Sequence, residues 1–234
     1  MENAGPEFER KDQIGIHMMN VKIQKGSGGA ARILCVGAHS DDIEIGCGGT
    51  ILRLQAEHPK WEFTWVVFCA DGPRGREAEK SAGRFLKLAK RKNVEILKFR
   101  DGFFPYEGAR IKEYFERMKG RVSPDLIFTH YRHDLHQDHR LISELTWNTY
   151  RDHMILEYEI VKYDGDLGTP NCYVPLDPGI CKRKIKYIRT CFPTQRNKVW
   201  FSDDAFYSIL RLRGIESNAP GGYAEGFYGR KIVF

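Results

Sequence analysis

The sequence lacks a hydrophobic run long enough to cross a bilayer. Its longest apolar stretch, Phe63 to Ala70, is interrupted by Thr64 and is far shorter than the roughly 20 residues that span a membrane. The N-terminus carries no apolar stretch typical of a signal peptide. We therefore expect a cytoplasmic protein without a membrane span.

The sequence also lacks closely spaced pairs of cysteines. The six cysteines include no CxxC pair, so neither a redox motif nor a cysteine zinc site is indicated. Cys35 and Cys69 lie in apolar, strand-like runs, where a thiol behaves as a small core residue. We expect all six thiols to be reduced.

The charge balance shows no concentrated basic surface. The chain has 37 Lys and Arg against 31 Asp and Glu, a net charge of +6. No basic stripe with interleaved aromatic residues is present, so we expect no nucleic acid partner. The densest basic run, Lys182 to Arg189, is interpreted as a solvated helix face. The small positive excess favours an anionic ligand only weakly.

The chain divides into two parts of different character. Residues 1–30 are polar and end in a glycine-rich stretch, which indicates a flexible N-terminal tail or a remnant of cloning. Residues 31–234 contain the folding signals and are expected to form a single domain. Its strands alternate with helices, which predicts an α/β fold: a Rossmann-like, mostly parallel sheet with helices on both faces, as a three-layer sandwich.

Hydrophobic periodicity places the individual elements. Strands are predicted at 32–37, 61–70, 94–99, 125–130, 154–163 and 223–234. Helices are predicted from Gly46 to about residue 57 and at 74–91, 109–119, 141–152, 180–190 and 203–214. The Gly- and Pro-rich stretch between Tyr163 and Ile180 is predicted to be a loop.

Two polar segments follow predicted strands. Residues 38–44 (Ala-His-Ser-Asp-Asp-Ile-Glu) follow the first strand, and residues 133–139 (His-Asp-Leu-His-Gln-Asp-His) follow the fourth. Loops at the carboxyl ends of strands form the ligand crevice of an open α/β sheet. Both segments should therefore meet at one edge of the sheet.

These side chains are suited to binding a metal ion. Imidazole and carboxylate ligands bind Zn²⁺, and a catalytic zinc uses three protein ligands with one position open. His39 and Asp42 can converge if the chain turns between them, and His139 can supply a third ligand. The alternative for any single histidine is a surface or capping role.

The neighbouring residues suggest proton transfer. Asp41 can take a proton from a water that a metal has acidified, or it can simply cap a helix. His136 and Asp138 can form an acid pair in which the carboxylate favours a protonated ring, or a purely structural hydrogen bond. Gly46 to Gly49 lacks the GxGxxG spacing, which argues against dinucleotide binding.

Together, the two segments resemble the PIG-L/LmbE-like family of zinc-dependent N-deacetylases. That family is marked by A-H-P-D-D-x-E before a Gly-rich helix start and by a later H-x-D-H. Here the first motif occupies residues 38–44 and the second occupies residues 136–139. The resemblance extends over about residues 31–234.

The resemblance implies a role for each matching residue. His39, Asp42 and His139 match the zinc ligands, and Asp41 matches the general base. His136 matches the histidine that stabilises the tetrahedral intermediate or protonates the amine, with Asp138 as its partner. The family's R-x-x-E, whose arginine faces the substrate, is matched here by Arg76 to Glu79, so Arg76 is expected to bind substrate or to be a solvated helix residue.

The chain departs from the family pattern at two positions. Ser40 replaces the usual proline, which loses the stiffness of a fixed φ but changes no ligand. Asp134 stands where some relatives have a mobile tyrosine, which leaves a second oxyanion donor unassigned.

The expected function is that of a metal-dependent N-deacetylase. It would remove acetate from an N-acetylglucosamine-type sugar in a glycoside, nucleotide sugar, glycolipid or natural product. Zn²⁺ is the expected cofactor, with Fe²⁺ or another divalent metal as alternatives. The rival hypotheses are a zinc hydrolase of a non-sugar amide and a non-catalytic metal-containing binding protein. A small-molecule substrate is the expected partner, and a homo-oligomer stays an open alternative.

Overall fold

The structure is a computed structural model that describes residues 29–233. The predicted tail, residues 1–30, lies almost wholly outside the described residues. The strands are β1 (Arg32–His39), β2 (Glu62–Cys69), β3 (Arg91–Ile96), β4 (Leu126–His130), β5 (Met154–Tyr158), β6 (Cys172–Leu176) and β7 (Tyr223–Gly229). The helices are α1 (Asp42–Glu57), α2 (Gly72–Phe85), α3 (Gly108–Lys119), α4 (Gln137–Thr149), α5 (Pro178–Cys191) and α6 (Asp203–Glu216).

The seven strands form one mixed sheet in the order β3-β2-β1-β4-β5-β7-β6. Strands β1 to β5 run parallel, and β7 is antiparallel to both of its neighbours. The predicted α/β fold class is confirmed. Because the strand order reverses at β1, its carboxyl end and that of β4 flank the point where such sheets bind ligands.

Helices cover both faces of the sheet, as predicted for a three-layer sandwich. Alternate residues of β2 enter different cores: Phe63 and Trp65 pack in one, and Val66 and Phe68 in the other. The first core lies under α1, α2, α5 and α6, and the second lies under α3 and α4. The period of two in a buried strand explains this division.

The glycines of α1 are packing sites. A Cβ at Gly46 would lie 2.2 Å from the ring of Tyr158, and one at Gly48 would lie 2.6 Å from the ring of Phe85. Because these glycines have no side chains, α1 can approach the sheet and α2 closely. This explains the glycine-rich stretch without a phosphate-binding role.

A buried ion pair holds α1 against the C-terminal strand. Glu225 of β7 accepts hydrogen bonds from the backbone N–H groups of Gly49 at 2.8 Å and Thr50 at 2.6 Å. Lys184 of α5 lies 2.6 Å from Glu225 and also donates to the carbonyl of Ile45. Lys184 is 2% exposed, so the predicted solvated face is wrong for this lysine.

Several element boundaries differ from the prediction. Helices α1 and α4 each begin four residues earlier than expected, because their polar first turns contain the candidate site residues and interrupt the apolar period. Strand β3 begins at Arg91, where a helix was predicted to end. Strand β6 falls in the predicted loop; its Pro175 is accommodated because β6 is an edge strand.

The structure can be compared with two further expectations, on membrane-spanning segments and on cysteine thiols. Among residues 29–233, no helix is both long and apolar enough to cross a membrane. All six cysteines lie in this range and have free thiols.

Candidate metal centre and its cavity

The sheet brings the two polar segments together. His39 is the last residue of β1, and Asp42 begins α1 directly after it. His139 lies in the first turn of α4, whose preceding strand is β4. Because β1 and β4 are parallel neighbours, both segments emerge at the same edge.

Potential ligand atoms of three residues converge there. Nδ1 of His39 lies 3.1 Å from Nε2 of His139 and 3.4 Å from Oδ2 of Asp42. Nε2 of His139 lies 3.6 Å from Oδ1 of Asp42. Tetrahedral ligands placed about 2.0–2.1 Å from zinc are separated by about 3.3 Å. The separations between these three side chains are therefore close to those that one divalent ion requires.

Each histidine has a carboxylate at its second nitrogen. Nε2 of His39 lies 3.2 Å from Oδ2 of Asp138, and Nδ1 of His139 lies 2.9 Å from Oδ2 of Asp134. A carboxylate at the far nitrogen fixes the tautomer that leaves the near nitrogen free for a metal. The arrangement thus directs both ligand lone pairs toward Asp42.

The two candidate histidine ligands differ in their electrostatics. Burial and the neighbouring His130 lower the pKa of His139 to about 4. Burial lowers the pKa of His39, but the carboxylates Asp42, Asp101 and Asp138 more than offset this and raise it well above the usual value. A buried pocket in which carboxylates hold an extra proton on imidazole is also suited to a divalent cation. The residues present therefore fit the metal that the sequence predicts.

His130, the last residue of β4, is a site residue to which the sequence analysis gave no role. Its Nε2 lies 2.9 Å from the backbone nitrogen of Ala38 and 3.2 Å from Oδ2 of Asp42. Within residues 29–233, Asp42, His130 and His139 form a further group with ligand atoms close enough to share an ion, and so do His39, His136 and His139. His130 ends β4 as His39 ends β1, and this shared place at a strand end was the available signal.

Asp41 occupies the N-cap position of α1 but its side chain makes no capping hydrogen bond. Its Oδ1 accepts a hydrogen bond from Arg74 at 3.2 Å, whereas its Oδ2 is buried and has no partner among the described residues. Burial raises the pKa of Asp41 to about 6, although Arg74 acts in the opposite direction. An acceptor oxygen is therefore available beside the candidate metal ligands.

His136 and Asp138 do not form the expected pair within the described chain. The Asp138 carboxylate contacts His39, while its backbone N–H donates to Nδ1 of His136 at 3.2 Å. Burial and the nearby His39 lower the pKa of His136, opposite to the expected protonation. Because Nδ1 accepts the hydrogen bond from Asp138, Nε2 is the nitrogen of His136 that can carry the ring proton.

Arg76, the arginine of the expected R-x-x-E pattern, is separate from the cavity that contains the candidate ligands, which agrees with its alternative as a solvated helix residue. Arg76 is exposed and lies outside the cavity lining, whereas Arg74 lines the cavity and donates to Ser40 Oγ at 3.1 Å. Glu77, three residues after Arg74, accepts the backbone N–H of Thr194 at 2.9 Å. Both Arg74 to Glu77 and Arg76 to Glu79 satisfy the spacing, so the sequence pattern was ambiguous.

The candidate ligands form the floor of an open cavity of about 230 Å³. Its walls come from the segment after β5 (residues 160–164) and from the segment between α5 and α6. The second segment contributes Gln195, Lys198 and Trp200. Glu77 holds this segment to α2 through its bond to Thr194.

The fold has relatives among solved structures. An N,N'-diacetylchitobiose deacetylase from Pyrococcus horikoshii aligns with a TM-score of 0.65 and 21% identity, over 86% of this chain and 84% of that one. A conserved protein from Thermus thermophilus aligns with a TM-score of 0.67 and 18% identity, over 87% of this chain and 96% of that one. A 4-carboxy-2-hydroxymuconate hydratase from Pseudomonas putida aligns with a TM-score of 0.64 and 17% identity, over 87% of this chain and 98% of that one.

The sequence also matches a family profile described as PIG-L, GlcNAc-PI de-N-acetylase, over residues 34–150, which is half of the chain. The match begins in β1 and ends after α4, so it contains both polar segments. The chain therefore belongs to the PIG-L family.

Proposed function

We propose that this protein is a metal-dependent N-deacetylase that hydrolyses the acetamide of an N-acetylated amino sugar, releasing acetate and a free amine. Membership of the PIG-L family supports a deacetylase. One observation carries the proposal: Nδ1 of His39, Nε2 of His139 and the Asp42 carboxylate converge at the cavity floor beside an unpartnered oxygen of Asp41.

The metal would be held by His39, Asp42 and His139. Two imidazoles and one carboxylate suit Zn²⁺, and the same ligands suit Fe²⁺. When bound, such an ion supplies Lewis-acid polarisation of the amide carbonyl and lowers the pKa of water. The carboxylates of Asp134 and Asp138 would keep the two imidazoles in their binding tautomers.

Asp41 would act as the general base. Arg74 binds its Oδ1, so the buried Oδ2 is the atom left to accept a proton from the attacking water. A pKa of about 6 keeps most Asp41 side chains ionised at neutral pH while leaving them basic enough to take a proton.

His136 would act as a hydrogen-bond donor. Its Nδ1 accepts the Asp138 N–H, so Nε2–H is the group available to the acyl oxygen as negative charge develops. Loss of one such donor typically costs about 10²–10³ in rate. The proton for the departing amine would come from Asp41, which would have taken it from the attacking water.

The side chains of the cavity walls are suited to binding a sugar. Trp200, which lines the cavity, offers a flat apolar surface for one face of a pyranose ring. Gln195 and Lys198 offer polar groups for hydroxyls, and Arg74 is proposed for the substrate-binding role expected of Arg76.

The test is release of acetate and free amine from three substrate classes: N-acetylhexosamines, N-acetyl peptides and simple acetamides. The zinc-loaded full chain is compared with Asp41→Asn. Turnover of N-acetylhexosamines by the wild-type protein alone would support the proposal. Turnover of only non-sugar amides would overturn the sugar assignment. No turnover of any amide by protein holding one ion per chain would favour a non-catalytic binding protein.

A further inference from the structure

We propose that Lys162 is a positioning residue of the metal centre, acting through Asp134 on His139. The inference rests on the proposed metal site, because it treats His139 as a ligand. Lys162 lies in the segment after β5, on the cavity wall, outside both sequence motifs.

A continuous chain of buried charged groups leads from Lys162 to His139. Nζ of Lys162 lies 3.1 Å from Oδ2 of Asp134, and the same oxygen lies 2.9 Å from Nδ1 of His139. On its other side, Lys162 binds Asp166, with Nζ 2.5 Å from Oδ1. The side chains of Lys162, Asp134 and Asp166 are 9%, 2% and 6% exposed, so solvent screens these contacts little.

The same groups join two loops. Asp166 accepts the backbone N–H of Leu135 at 2.7 Å, and Oδ1 of Asp134 accepts the backbone N–H of His136 at 2.8 Å. The segment after β5 is thereby fastened to the loop that contains Asp134 and His136. Lys162 is the positive group at the centre of this junction.

The chain of charges has a direct consequence for metal binding. His139 can present the Nε2 lone pair only if its proton is on Nδ1, and Asp134 accepts that proton's hydrogen bond. Without Lys162, the buried carboxylates of Asp134 and Asp166 would face each other uncompensated. Asp134 would also lose the ammonium group 3.1 Å away that holds its carboxylate in place, and the loss of that contact alone would let Asp134 move and release the ring of His139. Repulsion between the two carboxylates would add to this movement.

The test measures Zn²⁺ affinity of the full chain by competition with a chromophoric chelator, which needs no substrate. We expect Lys162→Met to weaken affinity about 10–100-fold, the usual effect of removing a group that orients a ligand. Lys162→Arg should recover most of it, since a guanidinium can bind both carboxylates. Lys182→Met, an exposed lysine on α5, is the control and should bind zinc like the wild-type protein.

A second variant separates folding from positioning. Lys162→Met combined with Asp166→Asn removes one charge of each sign, so it leaves no uncompensated carboxylate pair. It should fold as judged by circular dichroism and should still bind Zn²⁺ more weakly than the wild-type protein. Wild-type affinity in either folded variant would overturn the inference. Weakened affinity would support it even if no acetylated sugar proved to be a substrate.

Discussion

The Asp138 carboxylate lies 3.2 Å from Nε2 of His39, although the two residues are 99 positions apart. Its two oxygens also accept backbone N–H groups from Gly102 at 2.7 Å and Phe104 at 3.1 Å. Asp138 is fully buried, so it is fixed in place and turns Nδ1 of His39 toward Asp42. The Asp138 carboxylate thus contacts His39 and two backbone N–H groups, and we propose that it orients His39.

This relationship predicts the effect of Asp138→Asn. The substitution removes one anionic acceptor and should lower metal affinity about 10–100-fold, measured by chelator competition. Asp101→Asn is the matched control, because Asp101 contacts the same nitrogen at 3.1 Å with a side chain that is 57% exposed. Equal losses in the two variants would show that the buried position of Asp138 is not the deciding feature.

Arg74 should set the acidic limb of the pH–rate profile. With Asp41 as the base at a pKa of about 6, kcat/KM should rise with pH through that region. The Arg74 cation lowers the pKa of Asp41, so Arg74→Met should move the limb to higher pH. Arg76→Met, an exposed residue, should leave the limb unchanged. A limb that stays in place in Arg74→Met would argue against Asp41 as the titrating base.

Lys184 should be needed for stability. Lys184→Met leaves the buried Glu225 carboxylate without its cation, a change that typically costs about 3–5 kcal/mol. Urea denaturation should show this loss in the free energy of unfolding. Lys186→Met on the same helix removes an exposed lysine and should change stability by less than about 0.5 kcal/mol. Similar values for both variants would contradict the buried ion pair.

Two helical glycines should respond to alanine with opposite signs. At Gly46 the new Cβ would meet the Tyr158 ring at 2.2 Å, so overpacking should destabilise the protein by about 1–3 kcal/mol. At Gly83, in α2, nothing lies within 4 Å, and alanine should stabilise by about 0.4–1 kcal/mol. Thermal unfolding of both variants tests this, and a stable Gly46→Ala would contradict the close packing of α1.

The sequence was sufficient to predict the sheet edge where His39, Asp42 and His139 meet. Alternating strands and helices imply a parallel sheet, and the polar segments follow two of its strands. The structure places these side chains together, while their roles stay proposals. The reasoning required only which strand ends are neighbours, and this depends on chain topology rather than on side-chain detail.

Other features depend on contacts that spacing cannot reveal. The choice between Arg74 and Arg76 depends on which face of α2 is turned to the cavity, and both satisfied the same pattern. Burial of Lys184 depends on Glu225, 41 positions away. Strand β6 was missed because proline and glycine indicate a loop unless the strand lies at an edge.

The most direct test of the account determines metal content and acetate release on the same preparations of the wild-type protein and Asp41→Asn. The account predicts one divalent ion per chain in both proteins. It also predicts turnover of an N-acetylhexosamine that falls about 10²–10⁴-fold in the variant, the usual contribution of a general base. Undiminished turnover in Asp41→Asn, or an active wild-type protein with no bound metal, would contradict it.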